Sequence, residues 1–190
     1  MILRKGREIM VRDLPPVIPS VWTVTQRDHA TLSPWPLVHV AGGGLKTIKE
    51  FVKPLLDAKK TVWIHPDMIA GLAKDREGLE VIHSLIHPSA ITTSNLALAR
   101  QVTQLRLTLV LRVFIHDTQS LESSLAAIDR LRPDVVCCLP AVVYPLIRQE
   151  LNQRGIPVVA AGLVRSLLTR DHLIEMGASV EIGQAKLWSQ

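Results

Sequence analysis

Two apolar runs near the C-terminus, each closed by glycine, carry the clearest chemical possibility in this sequence. Gly155-Ile156-Pro157 marks a turn, Val158 to Ala161 forms a short β-type run, and Gly162 ends it. A helix-compatible segment from Leu167 to Met176 follows, Gly177 supplies its stop, Ala178 to Ile182 forms a second run, and Gly183 closes that one. Either glycine alone is ordinary loop punctuation. Two consecutive parallel strands that end this way bring backbone N–H groups side by side, which is how the last strands of a β/α barrel hold a phosphate. Ala161, Gly162 and Leu163 at one bend, with Gly183 and Gln184 at the other, are therefore candidate anion-binding positions.

His65-x-Asp67 admits two readings. As a metal pair it needs further ligands, and only His39, His116 and Asp117 stand near other strand ends, a thin set for a catalytic metal. Alternatively Asp67 caps a helix starting at Met68 while His65 packs beside it, an arrangement that still leaves a fixed carboxylate for ligand hydroxyls. Arg112 lies inside a long aliphatic run, where a guanidinium requires an anionic partner. That partner is either a bound ligand or a carboxylate such as Glu181, provided both point inward. Thr93 and Ser94 at the end of the fourth strand, and Asp117 after the fifth, complete the candidates, with Ser94 expected to cap one helix and Asp117 or Thr118 the next. Lys46, Lys49, Lys53, Lys59, Lys60, Lys74 and Lys186 all fall on expected helices or turns, which disfavours Schiff-base chemistry.

The elements that must position these residues alternate along the chain. Strands are expected at Val17 to Trp22, Leu37 to Ala41, Thr61 to His65, Ser89 to Thr93, Leu107 to Ile115, Val135 to Leu139, Val158 to Ala161 and Ala178 to Ile182. Helices are expected between them, including Thr25 to Leu32, Leu45 to Ala58, a helix-rich segment from Pro66 to Leu85, and Asn95 to Gln104. Such alternation predicts an α/β fold, a compact single-domain (β/α)8 TIM-barrel-like structure with short loops over residues 14–190, preceded by a basic segment at 1–13. The competing architecture, an open doubly wound sheet, lacks its G-x-G-x-x-G after the first strand.

Composition agrees. The 190 residues are 47% hydrophobic but only 4% aromatic, so aliphatic side chains must fill the interior, as in parallel sheets covered by helices. No apolar run approaches the roughly 20 residues of a membrane helix, and the N-terminus shows no secretory core, so a cytoplasmic protein is expected. The adjacent Cys137 and Cys138 point to opposite faces of a strand, which favours buried reduced thiols. A net charge of +5 is a weak pointer to polyanions.

Several segments in order resemble the bacterial glycerol-3-phosphate-responsive antiterminators of the glycerol uptake operon. They are H-P-D-M-I-A-G-L-A-K-D (65–75), I-T-T-S (91–94), R-V-F-I-H-D-T (112–118), R-P-D-V-V-C-C-L-P (132–140), I-P-V-V-A-A-G-L-V-R-S (156–166) and K-L-W (186–188). The resemblance implies a small phosphate-binding barrel that takes glycerol 3-phosphate as effector, with no cofactor, and acts on leader mRNA to prevent termination. It departs from the family pattern at Trp22, where arginine is common, and at Asn95, where a basic residue is common. It departs again at Cys137 for an acidic residue, Ala141 for glycine, Ala161 within the A-G-G triplet, and Ile182-Gly183 for Thr-Ser. Fewer charge-assisted contacts imply weaker or altered effector recognition. The alternative function is a phosphate-binding barrel enzyme, an isomerase, lyase or synthase, which would need a proton-transfer or covalent residue at a strand end.

Overall fold

The computed structural model describes residues 14–188, so the basic segment at 1–13 lies outside the described residues. Eight parallel strands close into a barrel in sequence order: β1 Val17–Val21, β2 Leu37–Val40, β3 Thr61–Ile64, β4 Ala90–Thr93, β5 Leu109–Phe114, β6 Val135–Leu139, β7 Val158–Ala161 and β8 Ser179–Ile182. The ring closes where β1 pairs with β8, Ile18 opposite Glu181. Seven α-helices lie between consecutive strands: α1 Val24–Leu32, α2 Ile48–Asp57, α3 Arg76–Ile86, α4 Leu96–Gln104, α5 Thr118–Leu131, α6 Tyr144–Asn152 and α7 Leu167–Glu175. The α/β barrel expected from the alternating pattern is the fold observed. Among the described residues no helix is long and apolar enough to cross a membrane.

The strands read as nearly continuous apolar runs because both of their faces are buried. One face packs on the helices, in a cluster that includes Val38, Ile64, Ile91, Leu109, Leu111 and Val180. The other faces the barrel axis, where Ile18, Leu37, Trp63, Ala90, Val110, Val135 and Val159 make a separate cluster. Full burial of one such aliphatic side chain is worth about 1.5–3 kcal/mol. Cys137 belongs to the axial cluster and Cys138 to the helix-facing one, and both are buried free thiols.

Local chemistry moved two of the expected boundaries. The segment from Pro66 to Leu85 is a 3-10 turn, Pro66–Met68, followed by a helix that starts only at Arg76, because the Asp75 carboxylate accepts the Gly78 N–H at 2.9 Å. Asp67 therefore caps no helix. Ser94 is not a cap either: Asn95 is, its side-chain oxygen accepting the N–H groups of Ala97 and Leu98 at 2.9 and 3.2 Å. Asp117 does cap α5, with a reciprocal Ser120 hydroxyl.

Loops at the carboxyl ends of the strands set the mouth of the barrel. After β1, Gln26 holds the chain in place, its Oε1 accepting the N–H groups of Trp22 and Thr23 at 2.9 and 3.1 Å, while its Nε2 donates to the Gly183 carbonyl at 2.9 Å. Gly42 lies against the same stretch of backbone: a Cβ there would sit 2.9 Å from the Trp22 carbonyl oxygen and 3.0 Å from its Cα. Neither atom can rotate away. Gly42→Ala is therefore expected to lower the denaturation midpoint by the equivalent of about 1–3 kcal/mol, measured by urea unfolding, whereas Gly155→Ala, where nothing lies within 4 Å of the added methyl, should show only the smaller cost of its φ of 62°.

Candidate functional site

Inside the barrel, the axial residues change character toward the carboxyl end. Above the aliphatic cluster, the inward positions are Ser20, His39, Thr92, Arg112, Cys137 and Glu181, all at most 9% exposed. The Arg112 Nη1 donates to Glu181 Oε2 at 2.7 Å, and Glu181 Oε1 lies 3.0 Å from His39 Nδ1. The other imidazole nitrogen, Nε2, is 2.8 Å from the Thr92 hydroxyl, and Ser20 Oγ lies 3.0 Å from Nδ1. A neutral His39 satisfies this set when Nδ1–H donates to Glu181 and Nε2 accepts from Thr92.

Burial and pairing act on these groups in opposition. For Glu181, burial would raise the pKa, but Arg112 and His39 outweigh it and hold the carboxyl well below the usual range. For His39 burial wins over the pull of Glu181, so its pKa is lowered and the ring stays neutral. Burial pushes the Cys137 thiol well up although Arg112 is near; with Glu181 Oε2 at 3.8 Å from Sγ, it is a weak donor rather than a nucleophile. Arg112 and Glu181, left open as either pair or ligand contacts, are thus a buried ion pair.

Two cavities open above this layer and share Arg112 in their floor. One, of about 600 Å³, is lined by Trp22, Gln26, Leu139, Gly162, Leu163, Val164, Arg165, Glu181, Ile182, Gly183 and Gln184 together with Arg112. The bends after β7 and β8 therefore face one space, as their tandem glycines implied. Gly162 and Leu163 both have left-handed backbone, with φ of 80° and 61°. Ala161 lies just beneath, buried in β7. The second cavity, of about 420 Å³, is lined by Ser94, Leu96, Phe114, His116, Asp117 and the first turns of α5. There Asp117 is engaged as a cap, and the Ser120 hydrogen bonds hold its carboxyl below the usual range.

His65, Asp67 and Thr93 join neither lining. They form a third group: Thr93 Oγ1 donates to Asp67 Oδ2 at 2.5 Å, and His65 Nε2 lies 3.3 Å from the same oxygen. Burial would raise the Asp67 pKa, but the hydrogen bonds from His65 and Thr93 prevail and lower it. Lys74 pins the same loop through the carbonyls of Pro66 and Ile69. The group ties the β3 loop to β4. His65 also stands 5.7 Å, centroid to centroid, from His39, so the group adjoins the axial layer. No cluster of three or more His, Cys, Asp or Glu suited to a metal occurs among the described residues.

Sequence reasoning undervalued His39, Ser20 and Thr92. Their signal was a polar residue at the second inward position of β1, β2 and β4, visible only once the inward register is known. Arg165 was likewise not singled out, since one rim arginine in a loop looks like solvated surface.

A closed parallel barrel with its cavities at the carboxyl ends of the strands defines a (β/α)8 TIM-barrel-like protein. The model of the glycerol-3-phosphate responsive antiterminator family matches residues 17–188, and the chain belongs to that family. Among solved structures it is similar to the glycerol uptake operon antiterminator regulatory protein of Listeria monocytogenes, with 21% identity, a TM-score of 0.85, and coverage of 93% of this chain and 96% of that one. It is similar also to an antiterminator-related protein of Thermotoga maritima, with 22% identity, a TM-score of 0.85, and coverage of 94% and 100%. A more distant likeness, at 12% identity and a TM-score of 0.64, is to a putative deoxyribose-phosphate aldolase of Coccidioides immitis, over 90% of this chain and 82% of that one. These likenesses concern the fold. Comparison with curated protein sequences finds no significant match.

The axial ion pair generates a pH prediction. Glu181 ionises at lower pH in the fold than its ordinary 4.5, so its contribution is present above about pH 4.5 and lost below it. His39 protonates less readily than its ordinary 6.5, so the fold also loses stability as pH falls below about 6.5. Unfolding free energy should therefore decline monotonically from pH 7 to pH 4. Arg112→Ala, which leaves Glu181 buried without its cation, should cost about 3–5 kcal/mol in urea titration at pH 7, and Arg112→Met combined with Glu181→Leu should cost much less.

Proposed function

We propose that this chain is a cytoplasmic regulator that binds glycerol 3-phosphate, or a closely related small phosphomonoester, in the cavity at the ends of β7 and β8, and in that state acts on leader RNA to prevent termination. The observation that carries the reading is the meeting of family membership with one cavity that both glycine bends line. Two guanidiniums stand against one carboxylate in that lining, Arg112 and Arg165 against Glu181, leaving a positive excess for an anion. Gly162, Leu163, Gly183 and Gln184 supply the backbone that approaches the phosphate, Ala161 sets the end of β7, and Arg112 with its paired Glu181 forms the floor. His65, Asp67 and Thr93 hold the β3 loop in position, while Ser94 and Asp117 border the neighbouring cavity. RNA contacts would come from surface arginines and lysines acting on phosphates.

The departures from the family pattern bear on the effector. The indole of Trp22 adds apolar surface in place of charge, Cys137 leaves Glu181 as the acid beneath the cavity, and Gly183 brings backbone without a hydroxyl. Among the described residues the lining offers guanidiniums, amides and apolar walls, with no lysine for a Schiff base and no unpaired acid placed for proton transfer. That supports a sensor over an isomerase, lyase or synthase.

Calorimetric titration with glycerol 3-phosphate should show one site per chain, and Arg165→Ala should weaken it about tenfold, the scale of one charge-assisted hydrogen bond. In transcription reactions on a template with a leader terminator, read-through should rise with protein and effector together. RNA retention should fall steeply as salt increases. Absence of heat with the intact chain removes the sensor reading.

A further inference from the structure

Trp22 is held as a fixed aromatic wall by three features of the barrel mouth. Gln26 fixes its backbone, Gly42 lies against that backbone, and Gly183 has no side chain where the indole lies, since a Cβ there would sit 2.2 and 2.5 Å from the indole Cζ3 and Cη2. The residue nevertheless stays 45% exposed and lines the cavity. A large aromatic side chain locked in place and left open to a cavity is a preorganised contact surface.

Across the cavity stands a second apolar wall. The strand order β7, β8, β1 puts Leu163 and Trp22 on either side of Gly183. Leu163 is 66% exposed and holds a φ of 61°, a left-handed conformation disfavoured for a side chain of this size. Such strain concentrates where it presents a side chain to a ligand. Between the two walls lies a slot, part of the cavity that Arg165 and Gln184 also line. A three-carbon phosphate has no flat surface to fill it, and the cavity, at about 600 Å³, falls in the size range of drug-sized ligands.

Resting on the phosphate reading above, we propose that the preferred ligand of this chain is a phosphomonoester carrying a flat ring, of the nucleoside monophosphate class. Its ring stacks on Trp22 against Leu163, and its phosphate meets the bend after β7 and Arg165. Trp22 is the residue that sets this specificity.

The test is calorimetry on the full chain with adenosine 5′-monophosphate, glycerol 3-phosphate, inorganic phosphate and adenosine. The nucleotide should bind at least tenfold tighter than glycerol 3-phosphate, in line with the strength of base–aromatic stacking. Trp22→Ala should remove that advantage by weakening the nucleotide at least tenfold more than it weakens glycerol 3-phosphate, and Trp22→Phe should retain much of it. Equal affinity for the two phosphates overturns the ring slot but leaves the phosphate site standing. Equal weakening of both ligands by Trp22→Ala shows that the ring merely supports the fold and also overturns it. Binding of adenosine without either phosphate, or of nothing, overturns both readings.

Discussion

The ion pair between Arg112 and Glu181 sets the terms for the rest of this barrel. Two charges removed from water cost several kcal/mol each unless geometry and further hydrogen bonds compensate. Here the compensation comes from around the ring: His39 from β2 reaches Glu181, Thr92 from β4 completes His39, and Cys137 from β6 fills the remaining side. Each partner stands on a different strand, so the network is satisfied only when the barrel closes with this register. An aliphatic layer lies below it, and both charged side chains are buried although cavities open above them. The pair therefore stiffens the level on which the cavities rest.

That arrangement divides the mouth by function. On the side of β7, β8 and β1, glycines give way to backbone and aromatic surface, and the cavity combines cations with apolar walls. Toward β4 and β5, Asn95 and Asp117 are committed to helix caps, so their polar groups are already satisfied. Toward β3, the carboxylate of Asp67 holds a loop rather than opening on a cavity. A carboxylate with two partners of its own has little left to offer a ligand, whereas loop amides and a rim arginine do. The physical distinction among these groups is how much of their hydrogen-bonding capacity the protein itself consumes.

Much of this was legible in the residues. Hydrophobic runs with a βα spacing announced the barrel, and the paired glycines at 162 and 183 marked bends that do share a cavity. Arg112 in an aliphatic run announced a buried partner, and Glu181 was the carboxylate available. Cap assignments were less legible, because Ser94 and Asn95 are both good cap residues and only backbone dihedrals choose between them. Asp67 was misplaced for a related reason: Pro66 starts a 3-10 turn that ends at once, and no local pattern distinguished it from the first turn of a longer helix.

The sequence by itself determined the alternation of elements, the parallel sheet that alternation implies, the polar interruptions in its strands and the positions where the chain must bend, because all of these follow from local periodicity and from the steric freedom of glycine. Tertiary structure alone decided which polar residues share the axis, that the floor is an ion pair rather than an open cation, and that Trp22 lies over Gly183. Those facts depend on the register between strands far apart in the chain. A shift of one residue in that register exchanges the inside of the barrel for its outside.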